Sequence, residues 1–221
     1  MTDEQGANDD IRDLLVEKAL AHVPFEGWSA VALAAAAEDA GMPAAVAAEA
    51  FPEGGVDAAA HFVDLINRRM ERAAEQNADR LAPMRPLERL AWLIRHRLEP
   101  WSGDKEAIRR SVALLALPCH AVLAAHLAWA SSDALWRAAG DRAQDWDFYA
   151  KRMALSAVAG STLFFWLNDE SENEADSWAF LAWRLEDMNR LTNLRRGLAA
   201  WMPVRPGAGK KRGRHRFGIR E

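Results

Sequence analysis

An all-α fold is what this sequence predicts, and three observations predict it. Alanine, leucine, arginine and glutamate dominate while β-branched residues are sparse, a composition whose propensities favour helix over strand. Apolar residues match the three- and four-residue spacing of a helix face far better than the alternation of a strand. Gly and Pro fall mainly at the junctions between these stretches, where they punctuate rather than interrupt.

The elements follow in order, nine helices in all. The first runs from about Asp9 to His22 and stops at the turn made by Pro24 and Gly27. Ser29 caps a short second helix to Ala40, because its hydroxyl accepts from the orphan first-turn N–H groups; Gly41 ends it and Pro43 opens a third, to Phe51. A long fourth helix spans about Val56 to Asp79, and a fifth runs from Pro86 to just before Pro100. Ser102 or Asp104 starts a sixth reaching Leu117, and a seventh covers about His120 to Ala139, broken at Gly140-Asp141. Asp145 caps the eighth, to Leu167; Asp176 starts the ninth, to about Trp201, which Pro203 closes.

Composition bounds the class. The chain has 221 residues, 50% hydrophobic and 27% charged, enough for one large or two small soluble domains. One cysteine, Cys119, leaves no intramolecular disulfide framework. The acidic start lacks the basic flank and apolar run of a secretory signal, so a cytoplasmic location is expected. Ser111 to Ser132 carries no formal charge and is long enough to span a bilayer. Pro118 in its middle and His120 and His126 argue instead for two buried helices meeting near Pro118, with Cys119 a small buried apolar residue and each histidine in the core or against a cavity. The formal net charge of −4 hides an asymmetry: residues 205–221 sum to +6 and the rest to −10. That Gly- and Arg-rich end buries too little apolar surface to order itself, and reads as a solubilising tail or a contact for an anionic surface.

Three short helices with tight turns, one long connecting helix and a larger bundle is the order of TetR-type regulators, a helix-turn-helix unit on a ligand-binding body. The predicted domains are therefore 1–53, the acidic tail and helix-turn-helix-like unit; 54–203, the helical body; and 204–221, a disordered basic tail. DNA affinity needs Lys and Arg on phosphates. Between Lys18 and Arg68 there is none, while Glu26, Glu38, Asp39, Glu49, Glu53, Asp57 and Asp64 are acidic. The third helix offers Ala44, Ala45, Val46, Ala47, Ala48 and Glu49 where base-reading side chains would sit, so no specific DNA binding is expected.

Catalytic signatures are missing. No H-E-x-x-H, Glu-x-x-His pair, G-x-S-x-G or P-loop occurs, and His120 and His126 lie six apart on nearly opposite helix sides, poor joint metal ligands. The chain reads as a binder, not an enzyme, with neither metal nor cofactor.

Several motifs, spanning about residues 14 to 188, sit in one order: Leu14-Leu15, Ala19-Leu20, His22-Val23-Pro24 and Gly27-Trp28-Ser29; Leu117-Pro118; Asp133, Trp136 and Ala139-Gly140-Asp141; Asp145, Phe148-Tyr149 and Lys151-Arg152; Asn168-Asp169 and Ser171; Ser177-Trp178, Phe180-Leu181 and Arg184. In these the chain resembles the coenzyme Q biosynthesis protein nine family. The resemblance implies a TetR-like fold, lipid binding, a homodimer and a helper role in ubiquinone synthesis, presenting an isoprenoid quinone intermediate to the demethoxyubiquinone hydroxylase. It places hydroxylase binding on the aromatic-Tyr pair, here Phe148 and Tyr149, within Asp145, Lys151 and Arg152; the family often has Trp where this chain has Phe148. From the residues alone Tyr149 and Trp146 serve equally as core, and Lys151 and Arg152 serve equally as ties to Asp141, Asp145 or Asp147.

Other site residues follow from chemistry. An isoprenoid tail needs apolar area, and Leu114, Leu117, Leu123 and Leu127 are candidate walls or ordinary core. The small residues Ala154, Ser156, Ala157, Ala159, Gly160 and Ser161, with Trp178, Leu181, Ala182, Leu185 and Met188, form a dimer face or an intramolecular packing face. Leu191, Leu194, Leu198 and Trp201, interleaved with Arg190, Arg195 and Arg196, form an amphipathic stretch suited to the inner face of a membrane. The alternative function is a TetR-type transcription regulator with an apolar effector.

Overall fold

The computed structural model describes residues 2–140 and 146–201, with side-chain surroundings for residues 6, 8–140 and 148–190. The chain forms two compact units, Met1–Met188 and Asn189–Glu221. No strand occurs among the described residues.

The N-terminal part contains α1 (Thr2–Ala19), the single turn α2 (Val23–Glu26), α3 (Ala30–Asp39) and α4 (Ala44–Ala50). The Ser29 hydroxyl accepts from the Ala32 N–H at 3.2 Å, as its capping role requires. Gly41 takes φ +70°, a conformation that costs a side chain but not glycine. Leu15, Val16, Ala19, Leu33, Ala36, Ala37, Ala47 and Phe51 close the small core.

The long α5 (Gly55–Gln76) turns Ala58, Phe62, Leu65, Ile66, Met70 and Ala74 inward at helical spacing. The single turn α6 (Ala78–Leu81) leads to α7 (Pro86–Leu98), and a 3-10 stretch Glu99–Asp104 leads to α8 (Lys105–Leu115). A 3-10 turn at Pro118–His120 precedes α9 (Ala121–Ala138); α10 (Trp146–Leu167) and α11 (Ala175–Trp201) complete the series. All nine helices expected from the sequence are present. The one-turn pieces α2 and α6 went unread because four residues carry no measurable periodicity.

Trp28 connects the N-terminal helices to the body. Its indole N–H donates to Ser111 Oγ at 2.7 Å, and its ring lies 5.8 Å from that of Phe62, which meets Trp101 edge-on at 5.1 Å. The start of α5 crosses so close that a Cβ on Gly55 would lie 1.9 Å from the Trp28 carbonyl oxygen, a separation only glycine permits. A charged cluster adds to this joint. Asp13 accepts from both Arg68 nitrogens at 2.6 and 2.9 Å and meets His61 at 2.7 Å, while Arg12 pairs with Asp57 at 2.7 Å.

No single helix among the described residues is long and apolar enough to cross a membrane. Only the pair Pro86–Leu115 and Pro118–Ala138 reaches that length and composition together, and it bends by 83° at the break.

Candidate functional site

The uncharged segment around Pro118 is not buried, contrary to the sequence expectation. Val122 is 86% exposed and Leu117 46%, and Cys119, Ala121, Ala125, His126 and Ala128 are also exposed. The bend at Pro118 is the reason: α8 packs into the body while the first turns of α9 leave it. Cys119 and His126 are therefore surface groups, not core ones. Leu123, Ala124, Leu127, Ala130 and Ser131 are half-exposed. At 100° per residue they share one side of α9, turned toward the body, with the exposed positions opposite. Further along, Ser132, Ala134, Leu135 and Trp136 are buried. The body-facing side of α9 thus loses cover toward its N-terminus, leaving a half-exposed apolar strip.

Of the four leucines read as lipid walls, Leu114 packs against the core, Leu123 and Leu127 lie half-exposed on this strip, and Leu117 is exposed. Two cavities lie elsewhere. One of about 600 Å³ is lined by Glu71, Arg89, Arg137 and neighbours; one of about 620 Å³ is lined by Phe164, Phe165, Phe180 and Asp169 among others.

The aromatic-Tyr pair lies where α10 meets α9. Phe148 and Tyr149 stand edge-to-face at 5.2 Å, and Trp129 of α9 approaches both, at 6.2 and 5.7 Å. Tyr149 is 58% exposed, so it is a surface anchor and not core. Arg152 is buried and lies with its guanidinium 3.3 Å from the Phe148 ring centre, while Nε donates to Asp133 at 2.6 Å. Its role here is to hold Phe148 against α9 through a charge that Asp133 balances. Lys151 places Nζ 5.4 Å from the Trp136 ring centre. The Asp133 contact was missed in the sequence because it joins two helices through residues 19 apart. Asp141 and Asp145 lie outside the described residues, as do the side chains of Trp146 and Asp147.

The motif Asn168-Asp169…Ser171…Ser177-Trp178 forms a corner between α10 and α11. Asp169 accepts from the backbone N–H of Ser171 and of Ser177, each at 2.8 Å, and from the Ser177 hydroxyl. Burial works against its charge, but these hydrogen bonds prevail and hold its carboxyl far below the usual range. Trp178 donates to the Asn173 carbonyl at 3.0 Å, and Asn173 and Glu174 take positive φ. These residues build a corner rather than a reactive centre.

Leu181, Leu185 and Met188 are buried within the fold, so intramolecular packing claims that part of the predicted face. Beside it a row stays open: Phe164 is 58% exposed and Trp183 56%, and Phe165 stacks on Phe180 at 4.6 Å. Ala157 and Ala182 are also exposed. Arg190 is exposed in α11, while the side chains of Leu191, Leu194, Arg195, Arg196, Leu198 and Trp201 lie outside the described residues. On α4 the exposed positions are Ala44, Ala45, Ala48 and Glu49, a surface with no donor for phosphate or base edges. No group of three or more metal-ligating side chains occurs among the described residues.

Comparisons with known proteins agree with this architecture. The TetR transcriptional regulator from Nitrosomonas europaea superposes with a TM-score of 0.64 over 87% of this chain and 99% of its own. At 20% identity it bears on the fold alone. The COQ9 family model matches residues 121–192, the segment holding α9, α10 and the corner. The mitochondrial ubiquinone biosynthesis protein COQ9 of Drosophila melanogaster is 32% identical over 190 residues, 85% of this chain and 58% of its own length. The human protein of the same description is 28% identical over 187 residues, 82% of this chain and 58% of its own. The chain thus spans somewhat under three fifths of these relatives. The matched segment and the relatives that align along most of the chain make the COQ9 proteins the family this chain resembles.

Proposed function

We propose that this protein is a non-catalytic, lipid-binding accessory protein of ubiquinone biosynthesis. In this reading it presents an isoprenoid quinone intermediate to the demethoxyubiquinone hydroxylase, at the cytoplasmic face of a membrane. The observation that carries it is the pairing on α9 of a half-exposed apolar strip, with Leu123 and Leu127, and the exposed Tyr149 anchor beside Trp129. Apolar area without hydrogen-bonding groups suits an isoprenoid tail, and an aromatic cluster steadied by Arg152 suits a protein partner. The relatives named for ubiquinone biosynthesis direct the choice of lipid. The open row of Phe164, Phe165 and Trp183 supports a homodimer through α10 and α11.

A TetR-type regulator with an apolar effector is the second reading, favoured by the shared fold and opposed by the donor-free surface of α4. One experiment separates them. Organic extraction and native mass spectrometry of the purified chain should return an isoprenoid lipid; an empty protein that shifts a defined operator fragment sinks the accessory reading.

A further inference from the structure

The turn between α8 and α9 carries a run of exposed apolar residues. Ala116, Leu117, Pro118, Cys119, Ala121 and Val122 are all exposed, and no charged residue occurs between Arg110 and Asp133. From Val112 to Ala128 the only polar side chains are Cys119, His120 and His126. A contiguous apolar surface left open to water marks a contact, and its chemistry indicates which. The helices on either side of the turn reach, taken together, the length and composition of a membrane span, yet their 83° bend prevents a straight crossing and puts the turn at an apex. An apex that enters hydrocarbon has to satisfy its own backbone donors. Here the Leu117 N–H donates to the Leu114 carbonyl at 3.3 Å, that of His120 to Leu117 at 2.9 Å and that of Ala121 to Pro118, while Pro118 has no N–H to place.

Charge borders this surface on α8. Its nearest charged residues there are Arg109 and Arg110, and both pair with the one carboxylate of Glu106, Arg110 at 3.0 Å. Two guanidinium groups on a single carboxylate leave a net positive charge at the rim. Arg110 and Leu117 are seven residues apart, so they share a side of α8 with the charge about 10 Å behind the apolar tip. That spacing sets guanidinium groups among lipid phosphates when the tip reaches the acyl boundary. A protein interface is anchored instead by buried aromatic and Arg side chains, and residues 111–128 contain no Phe, Tyr or Trp.

We infer that the α8–α9 turn is an element that enters the membrane, inserting Leu117 and Val122 into the acyl boundary of one leaflet with Arg109 and Arg110 at the level of its anionic head groups. This rests on the membrane-facing part of the reading above and names where the body makes contact; it does not involve the amphipathic stretch from Arg190 to Trp201. Val122 and Trp129, seven residues apart, share a side of α9 about 10 Å apart along the axis. A partner held at Trp129 and Tyr149 therefore sits beside the same leaflet.

Cys119, the one cysteine of the chain, is exposed at the apex and takes a nitrobenzoxadiazole label without any substitution. With vesicles of equal parts phosphatidylcholine and phosphatidylglycerol, the emission of the labelled full chain should shift to the blue. Nitroxide-bearing acyl chains should then quench it, and aqueous iodide should not. Co-sedimentation of unlabelled chains gives the affinities. Val122→Asp and Leu117→Asp should each weaken binding about tenfold or more, the order for withdrawing one buried aliphatic side chain. Val122→Trp should tighten it, because Trp favours the bilayer interface. Val31→Asp, which adds the same charge at a 61% exposed valine on α3, should bind within about twofold of the unmutated chain. A label that stays open to iodide on sedimented protein, or Asp variants at the turn that bind as the unmutated chain does, overturns the insertion and leaves docking to another surface. A lower mass for Val122→Asp in light scattering, with vesicle binding unchanged, overturns it in favour of a contact between copies of this chain. Failure of the unmutated chain to bind these vesicles sinks the membrane reading together with the inference. The label is read on the unmutated chain, so the test stands even where a variant does not fold.

Discussion

Trp28 and Gly55 show how single residues set the joint between the N-terminal helices and the body. The Trp28 indole N–H has one partner, Ser111 Oγ, inside the protein. Ser111→Ala leaves that donor buried and unsatisfied, and should lower unfolding free energy by about 1–3 kcal/mol in urea titration; Trp28→Phe with Ser111→Ala should recover part of it, since neither partner is then left alone. Gly55→Ala forces a Cβ into the Trp28 carbonyl and should cost about 1–3 kcal/mol by the same assay. Asp13 and Asp169 bring pH into the account. Burial raises the Asp13 pKa, but Arg68 and His61 outweigh it, so the folded value falls below the unfolded one, as it does for Asp169. A carboxyl lowered in the folded state stabilises it above the unfolded pKa of about 3.9, and that stabilisation disappears as pH drops through the folded value. Thermal stability should therefore fall from about pH 5 downward, and Asp169→Asn should be less stable at pH 7 with a flatter acid limb. An acid limb identical to that of the unmutated chain would show that the corner carboxylate contributes nothing through its charge.

At the scale of elements, the α8–α9 turn and the α10–α11 pair do different things with similar composition. Both expose large apolar side chains, yet the first does so through the aliphatic Leu117 and Val122 and the second through a nearly continuous aromatic row. Leu127 is half-exposed and outside the core packing. Leu127→Asp should thus keep the fold, within about 1 kcal/mol, and lose co-purified lipid, read by circular dichroism and extraction on the same sample. Phe164→Glu places charge on the open row and should convert a dimer to monomer in light scattering without changing helix content. A monomeric unmutated chain would instead return the row to another partner.

For the whole molecule, charge is distributed by region. The interval from Lys18 to Arg68 is purely acidic among its charged groups, while residues 205–221 sum to +6. Liposome co-sedimentation of the full chain against one ending at Met202 tests whether the basic end contributes to docking: vesicles rich in phosphatidylglycerol should retain the full chain more, and the difference should shrink at high salt. Absence of binding by both chains removes the membrane role.

The sequence by itself determined the all-α class, the Ser29 cap, the stops at Gly41 and Gly140, and the loss of DNA-reading chemistry from α4. Each depends on neighbours within a turn or two, or on residue type alone. Two motifs read as family features, Phe148-Tyr149 and Asn168-Asp169, were legible as positions but not as contacts. Only the tertiary structure decided that Tyr149 is open, that Arg152 answers to Asp133, and that the apolar residues around Pro118 face outward. Burial is set by what a distant segment brings to a surface, and a bend such as that at Pro118 redirects a whole helix without altering its hydrophobic pattern. Apolar composition therefore told which residues prefer to leave water, while the packing of α5, α7 and α9 selected which of them do.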